Sequence, residues 1–449
     1  MGQQQSTNAV VEIFKKVYGN LNDLISKNYM FEKLVQFNQS AMIGLSYIES
    51  FILTFEVGIT WAGNDQSAFT INPAVAGEVK QGEITSSQTV LSSVLPWGFM
   101  SRSAQAGEKA FANGTQHIMK NHIRSHAKFK EIERIYGQAD GDLGYLTYAA
   151  AGTVYRGATY TAAGTVTLTK SDATTIAFTA GRNVASKAIL FAPGQFAPGI
   201  WLGMKGCKIA QCLASDDSIV AQGSLVSADL KLGILYVDFA PAATTATDSH
   251  YITFQGWEVN NCMVGMIKQL TNRGVLFGIN FGAYDLMKGN VIDLAQKRMN
   301  LAAVLDGISD ACAFGGLEDA LTIVVSFASF SKMSKDEAAL RKYDASYKAD
   351  ATNGFEAIEY YGPNGLNQIV PYNMLKEGDA IGIVKGNWMR SGSAEISFKV
   401  PGFDKDVIFP LESQAGFMLR SYSDQYILGR VNARQVYWKN ANPDGVSYG

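Results

Sequence analysis

The amino-acid sequence points to an α+β protein carrying an inserted all-β subdomain. Three observations say so. A run without proline from Ala104 to Tyr136 sets Phe111, Ile118, Phe129, Ile132 and Tyr136 at helical spacings and stops at Gly137, a natural C-cap residue. Residues 151–256 are an island of Gly, Ala, Thr and Ser holding short β runs such as GTVTLTK, TIAFTA and GILYVDFA. From about residue 273 onward, helical and strand patterns alternate.

Taken in order, the first element expected is an amphipathic helix, or two short ones, over 9–28. Val10, Ile13, Phe14, Val17, Leu21, Leu24 and Ile25 follow i, i+3, i+4 spacing. Residues 57–104, rich in Gly, Ser and Thr with strand-like ends, read as a long hairpin with its tip near Ala76 to Gly82. Apolar residues on both of its faces (Val90, Leu91, Val94, Leu95) need a surface to lie on, and a neighbouring subunit would supply one. The proline-free run follows as one helix of up to about 30 residues, roughly 45 Å long. The island reads as a small antiparallel barrel or sandwich. In the last part, VIDLAQKRMNLAAVLDGISDACAFGG reads as a helix ending at paired glycines, LTIVVSF as a buried strand and SKDEAALRKYDASYK as a charged helix. IVPYNMLKEGDAIGIV and GSAEISFKV read as strands.

Composition narrows the function. Hydrophobic residues make up 47% and charged residues 17%, against roughly 25% charged in an ordinary soluble domain. A surface so short of charge suggests cover by partners. The net charge of −2 leaves no global basic field for sequence-independent nucleic-acid binding. Cys207, Cys212, Cys262 and Cys312 lack metal-site spacing and read as buried free thiols. The most apolar region, MIGLSYIESFILTFEVGITW, is interrupted by Glu49 and Glu56, so no membrane span or signal peptide is read. MGQQQS fits the myristoylation pattern at Gly2, but no polybasic patch follows to complete an anchor.

The search for catalysis turns on HIMKNHIRSH, which holds three of the four histidines. His122 and His126 share a helix face while His117 points elsewhere. Lys120, Arg124 and Lys128 would oppose a bound cation. The expectation is a solvated basic helix face and no metal. His250 has Asp248 and Ser249 only as chain neighbours, and no nucleophile elbow, P-loop, dinucleotide fingerprint or HExxH occurs. Neither a catalytic group nor a cofactor is expected.

Three segments together resemble the tailed-bacteriophage major capsid proteins of the Hong Kong ninety-seven fold type. They are FKKVYGNLNDLISKN with ESFILTFEVGITWAG; KQGEITSSQTVLSSVLPWGFMSRSAQAGEKAFANGTQHIMKNHIRSHAKFKEIERIYGQADGDLG; and EDALTIVVSFASFSKM with LRKYDASYK, GFEAIEYYGPNGLNQIVPYNMLKEGDAIGI and PLESQAGFMLRSYSDQYILGR. The resemblance implies an N-terminal arm (1–56), an extended β-hairpin loop over a neighbouring subunit (57–104) and a peripheral domain with a long spine helix (105–150). It further implies the inserted β subdomain (151–256), an axial domain (257–392) and C-terminal strands returning to the peripheral and axial domains (393–449). One departure is FQGWEV, Phe254 to Val259, where relatives often carry an acidic turn closing the insertion.

It also implies a structural function: self-assembly into hexamers and pentamers of an icosahedral shell around double-stranded DNA, in a virion assembled in the host cytoplasm. Scaffolding, portal and decoration proteins are the implied partners. No long charged extension precedes the arm in this sequence; if Met1 belongs to the mature shell, the resemblance implies a separate scaffolding protein. Heterologous interfaces repeated about five- and six-fold axes would use charged rims for register. Glu78 and Lys80 on the loop, Arg102 and Arg124 on the spine, and Arg420 and Asp424 near the C-terminus are the expected inter-subunit contacts. An encapsulin-like compartment shell shares this fold and stays open as an alternative, as does a tail subunit, though nothing in a tail subunit calls for the long helix.

Overall fold

The computed structural model describes residues 29–39, 46–64, 68–98, 108–146, 149–170, 172–245, 247–335, 358–398, 408–410 and 415–448. The expected 9–28 helix, the Gly2 motif, Arg102 and most of the charged helix after Ser334 lie outside them.

The long helix runs Glu108–Tyr136. Gly137 ends it, donating its amide to the Glu133 carbonyl at 2.8 Å. A Cβ at this glycine would stand 2.2 Å from the Met263 carbonyl oxygen, so the following chain can pack only against a bare Cα. The last turns of the helix are buried all round, with Lys130, Glu131, Ile132, Ile135 and Tyr136 at 0% exposure. The helix lies on an antiparallel pair, Ser87–Pro96 with Gly416–Gly429, in register from Ser87↔Gln425 to Pro96↔Gly416. Trp388–Ser397 adds to the far side of Gly416–Gly429, and Phe37–Gln39 pairs with it in parallel.

The hairpin differs from its expected limits. Tyr47–Ile52 pairs with Val79–Ile84, so the hairpin begins in the apolar run before residue 57. Val57 donates to the Val75 carbonyl at 3.2 Å, which puts Ala76 to Gly82 in the returning limb and the tip between residues 57 and 75. Ser87–Pro96 leaves the hairpin for the sheet under the long helix. There Leu95 is buried, while Val90 stays 62% exposed. The strand's hydrogen-bonding surface is thus in its own chain. Turn residues on either side of an apolar run do not say which strand it will pair with.

The island folds as an eight-stranded antiparallel sheet in the spatial order His250–Phe254, Lys208–Leu213, Ile219–Asp229, Ile234–Val237, Ala188–Leu190, Arg182–Asn183, Thr175–Thr179 and Thr165–Thr169. Alternation along Thr165–Thr169 and Thr175–Thr179 sends Val166, Leu168, Ile176 and Phe178 inward.

The last part is a six-stranded mixed sheet, ordered Asn290–Asp293, Val436–Lys439, Ala380–Ile383, Thr322–Val325, Gly365–Pro371, Ile358–Gly362. Its central strands are apolar without alternation because both faces are covered. The helix expected from residue 291 is instead strand Asn290–Asp293 followed by helix Leu301–Gly315. Asn300 caps that helix by accepting from the Ala303 amide. Val291 and Ile292 are β-branched and satisfy a parallel neighbour, Tyr437 and Trp438, better than a helix turn. The helix does stop at the paired glycines, with Gly316 at φ +59°. IVPYNMLKEGDAIGIV is likewise two strands around a turn.

Candidate assembly surface and the joint behind it

The base of the hairpin is fastened to the body. Tyr47, Phe51, Leu53 and Ile84 are buried with Phe277, Ile279, Phe281, Met287, Tyr426 and Leu428. Tyr47 donates through its hydroxyl to Asp424 Oδ2 at 3.2 Å, and Tyr426 donates to Glu49 Oε1 at 3.2 Å. Beyond Leu53 the two limbs continue as one ribbon. Glu78 donates its amide to Thr54 Oγ1 at 2.7 Å, and Asn72 donates its amide to Thr60 Oγ1 at 2.8 Å.

On that ribbon the apolar side chains face solvent. Phe55, Trp61 and Ile71 are 83, 84 and 76% exposed, and Ile52 at the end of the base strand is 76% exposed. Covering one such side chain is worth about 1.5–3 kcal/mol, and bare apolar surface on this scale marks an interaction site. Among its described residues the ribbon has no core of its own to explain these side chains.

Behind the hairpin base, strand Gly416–Gly429 divides its side chains. Asp424 faces the hairpin and accepts from Tyr47 and Ser393. Ser421, Ser423 and Gln425 face the long helix at 0% exposure. The histidine face expected to be solvated is therefore buried, with His122 at 3% and His126 at 2% exposure. Ser421 Oγ sits between them, 2.8 Å from His122 Nε2 and 2.7 Å from His126 Nδ1. The outer ring nitrogens meet Ser93 Oγ at 2.8 Å and Thr89 Oγ1 at 2.9 Å. A strand rich in Ser and Thr matches a polar helix face with hydroxyls, which is why polarity there does not mean water. Burial, then Lys130 and His122, pushes His126 down to about 4; burial likewise lowers His122.

One turn on, the charges pair within the helix. Arg134 donates to Glu131 Oε2 at 3.0 Å, and Lys130 pairs with Glu133 at 2.9 Å. Glu131 also accepts the amides of Phe31 and Glu32 at 2.7 and 3.1 Å and the Tyr372 hydroxyl at 2.8 Å. Glu133 accepts the Met263 amide at 2.8 Å, and Arg134 donates to Gln425 Oε1 at 3.1 Å. This network ties the segment at Met30–Leu34, the long helix and the central sheets together. In KFKEIERIY such a network is not distinguishable by spacing from ordinary i, i+3 pairs on a helix surface. The available signal was Phe129, Ile132, Ile135 and Tyr136, which surround those charges with apolar residues on more than one face.

The expected contact residues fall into different settings. Glu78 and Lys80 pair with each other at 3.0 Å, about half exposed, with Lys80 over the Tyr284 ring. Their mutual hydrogen bonding lowers Glu78, and bonding to Tyr284 and Glu78 raises Lys80. Arg124 is half-buried and its carbonyl accepts the Tyr29 hydroxyl at 2.9 Å. Arg420 is exposed, its Nε 3.1 Å from Met418 Sδ. Asp424 is a correction: at 2% exposure it is an internal anchor of the hairpin, out of a neighbour's reach.

No protein-family model and no curated protein matches this sequence. Solved structures do. The chain is similar to the capsid of a native GTA particle at 10% identity, covering 95% of this chain and 96% of that one, TM-score 0.40. It is similar to the Cyanophage A-1(L) capsid at 8% identity, covering 94 and 95%, TM-score 0.45. It is also similar to the encapsulin complex of Synechococcus elongatus at 6% identity, covering 97 and 98%, TM-score 0.41. Over almost its whole length, then, the chain is similar to capsid and encapsulin subunits.

Proposed function

We propose that this chain is a major capsid protein, assembling into hexamers and pentamers that close an icosahedral shell around double-stranded DNA. One observation carries the reading: a hairpin anchored at its base by buried residues and bare at its far end, with Phe55 and Trp61 more than four-fifths exposed. The occupant that covers it is a second copy of the chain. A contact between unlike patches repeats by rotation and closes into rings, and rings into a shell. Interfaces of the obligate class bury about 2,000 Å² or more, which suits a chain with so few charges.

Within this reading, the extended loop is Tyr47–Ile84, and the long helix with its sheet forms the peripheral domain. The six-stranded sheet and helix Leu301–Gly315 form the axial domain. The eight-stranded sheet is the insertion. Glu78, Lys80 and Arg420 stand at subunit rims, where they set register. Scaffolding and portal proteins act during assembly.

Electron microscopy of the full-length protein tests this directly. Wild type should give closed particles, curved sheets or hexamers. A Phe55→Ser, Trp61→Ser variant should stay a soluble subunit with unchanged thermal unfolding. Particles from that variant matching wild type, or a wild-type monomer of 48.6 kDa under all conditions, would overturn the proposal. Packaged double-stranded DNA in particles recovered from the host separates a viral shell from a cargo compartment.

A further inference from the structure

Strand Ser87–Pro96 has one neighbouring strand among the described residues, Gly416–Gly429, which takes one of its two edges. At the end of this ladder the Trp97 amide donates to the Ala415 carbonyl. Bonding alternates along an antiparallel pair, so Leu95, Ser93, Leu91 and Thr89 also turn their backbone groups toward Gly416–Gly429. The amides of Gln88, Val90, Ser92 and Val94 point the other way, off the sheet, and among the described residues no backbone group meets them. Pro96 belongs to this outward set. Its missing N–H falls on the open side, the side on which an edge strand accepts proline.

Native sheets guard a long open edge with charges, bulges or brevity. SQTVLSSVLP carries no charge in its ten residues, and its register runs unbroken from Ser87 to Pro96. The six-stranded sheet, by contrast, ends on short strands bearing Asp293 and Glu359. One face of Ser87–Pro96 is closed by the long helix, where Thr89 and Ser93 meet the two histidines. The other face is open, with Gln88, Val90 and Ser92 exposed. An uncharged row of free amides and carbonyls is a template for one more strand.

The strand is complementary to itself. Let a second copy lie antiparallel to it, with Ser92 opposite its own counterpart. Val90 of each copy then stands opposite Val94 of the other, and Gln88 opposite Pro96. All the outward amides meet carbonyls, and only the Gln88 carbonyls are left over, where proline has no N–H to give. No charge faces its own image across the seam. The nearest, Arg420, lies opposite Ser92 within each chain. Two copies of it would be three strand spacings apart, roughly 14 Å, beyond the screening length of about 8 Å at physiological salt.

We propose that Ser87–Pro96 pairs edge to edge with the same strand of a second copy, about a two-fold axis at Ser92. This goes beyond the contact made by the hairpin. Unlike patches build rings, whereas a patch that pairs with itself links one ring to the next.

Cysteine trapping in the Phe55→Ser, Trp61→Ser subunit tests this without the hairpin contact. Mild oxidation should join Ser92→Cys into a covalent dimer on a non-reducing gel, above the level of the same chain with serine at 92, which controls for the native thiols. Val90→Cys should stay monomeric, because the two copies of residue 90 lie four residues apart along the seam, roughly 14 Å, and a disulfide spans at most about 7 Å between Cα atoms. Val90→Pro added to Ser92→Cys should remove the cross-link and leave thermal unfolding unchanged, since proline fits an edge whose amide faces solvent and not a paired one. If the proline variant unfolds, the comparison of the two cysteine positions still decides. No cross-link at 92, equal cross-linking at 90 and 92, or a cross-link that survives in a folded Val90→Pro chain would overturn the proposal. Closed shells from a Ser92→Cys chain with the native hairpin, without cross-linking at 92, would overturn it while leaving the capsid reading standing. Protection of the amides at 88–94 from exchange that depends on Phe55 and Trp61 would assign the edge to a neighbour's hairpin and equally overturn it.

Discussion

Acid should loosen the joint between the long helix and the sheet beneath it, and His126 sets the size of the effect. In the native chain its imidazole is pushed down to about 4, from an ordinary 6.5. The charged neighbours that bear on it, Lys130 and His122, both oppose a positive ring. The unfolded chain therefore binds the proton first. Stability from this group is complete above about pH 6.5 and is lost as pH falls toward 4. The difference of roughly 2.5 pKa units, at about 1.36 kcal/mol each, sets a ceiling near 3 kcal/mol. Hydrogen-bond counting adds a reason for the second ring. Ser421 has one proton to donate, so two imidazolium rings would both donate to Ser421 Oγ and strand its hydroxyl proton. Urea unfolding at steps from pH 7.5 to 4 would measure this. The wild type should lose up to about 3 kcal/mol more across the range than a His122→Gln, His126→Gln variant, which starts less stable but falls less. Parallel pH dependence in the two proteins would refute the reasoning.

Two further perturbations address the joint and the far sheet. Glu131→Ala leaves Arg134 without its buried carboxylate and two backbone amides without an acceptor, and should cost about 3–5 kcal/mol in chemical denaturation. Gly307→Ala puts a Cβ 2.3 Å from Trp438 Cζ2, where helix Leu301–Gly315 presses on the sheet, and should cost about 1–3 kcal/mol with a matching fall in Tm. A neutral result at Gly307 would mean that the helix can shift without losing the bond from Trp438 Nε1 to the Ala303 carbonyl.

Legibility in the sequence followed the range of the interactions. The helix to Tyr136 and its stop at Gly137 were readable because both depend on neighbours within one turn. So was the strand-rich island, whose Val166 and Leu168 alternate with threonines. The hairpin was misplaced because its second limb could have paired equally well, by pattern, with what precedes or follows it. Asp424 read as a surface charge because nothing near it in the chain announces Tyr47 and Ser393.

What the sequence determined by itself was local: where the long helix runs, where strands alternate, and that too few charges were present for a fully solvated surface. Only the tertiary structure decided which polar residues are wet. His122, His126 and Glu131 are buried because partners distant in the chain, Ser421 and Tyr372 among them, complete their hydrogen bonds. Trp61 is bare because, among the described residues, none covers it. Burial is a property of where distant segments meet, and periodicity carries no record of that.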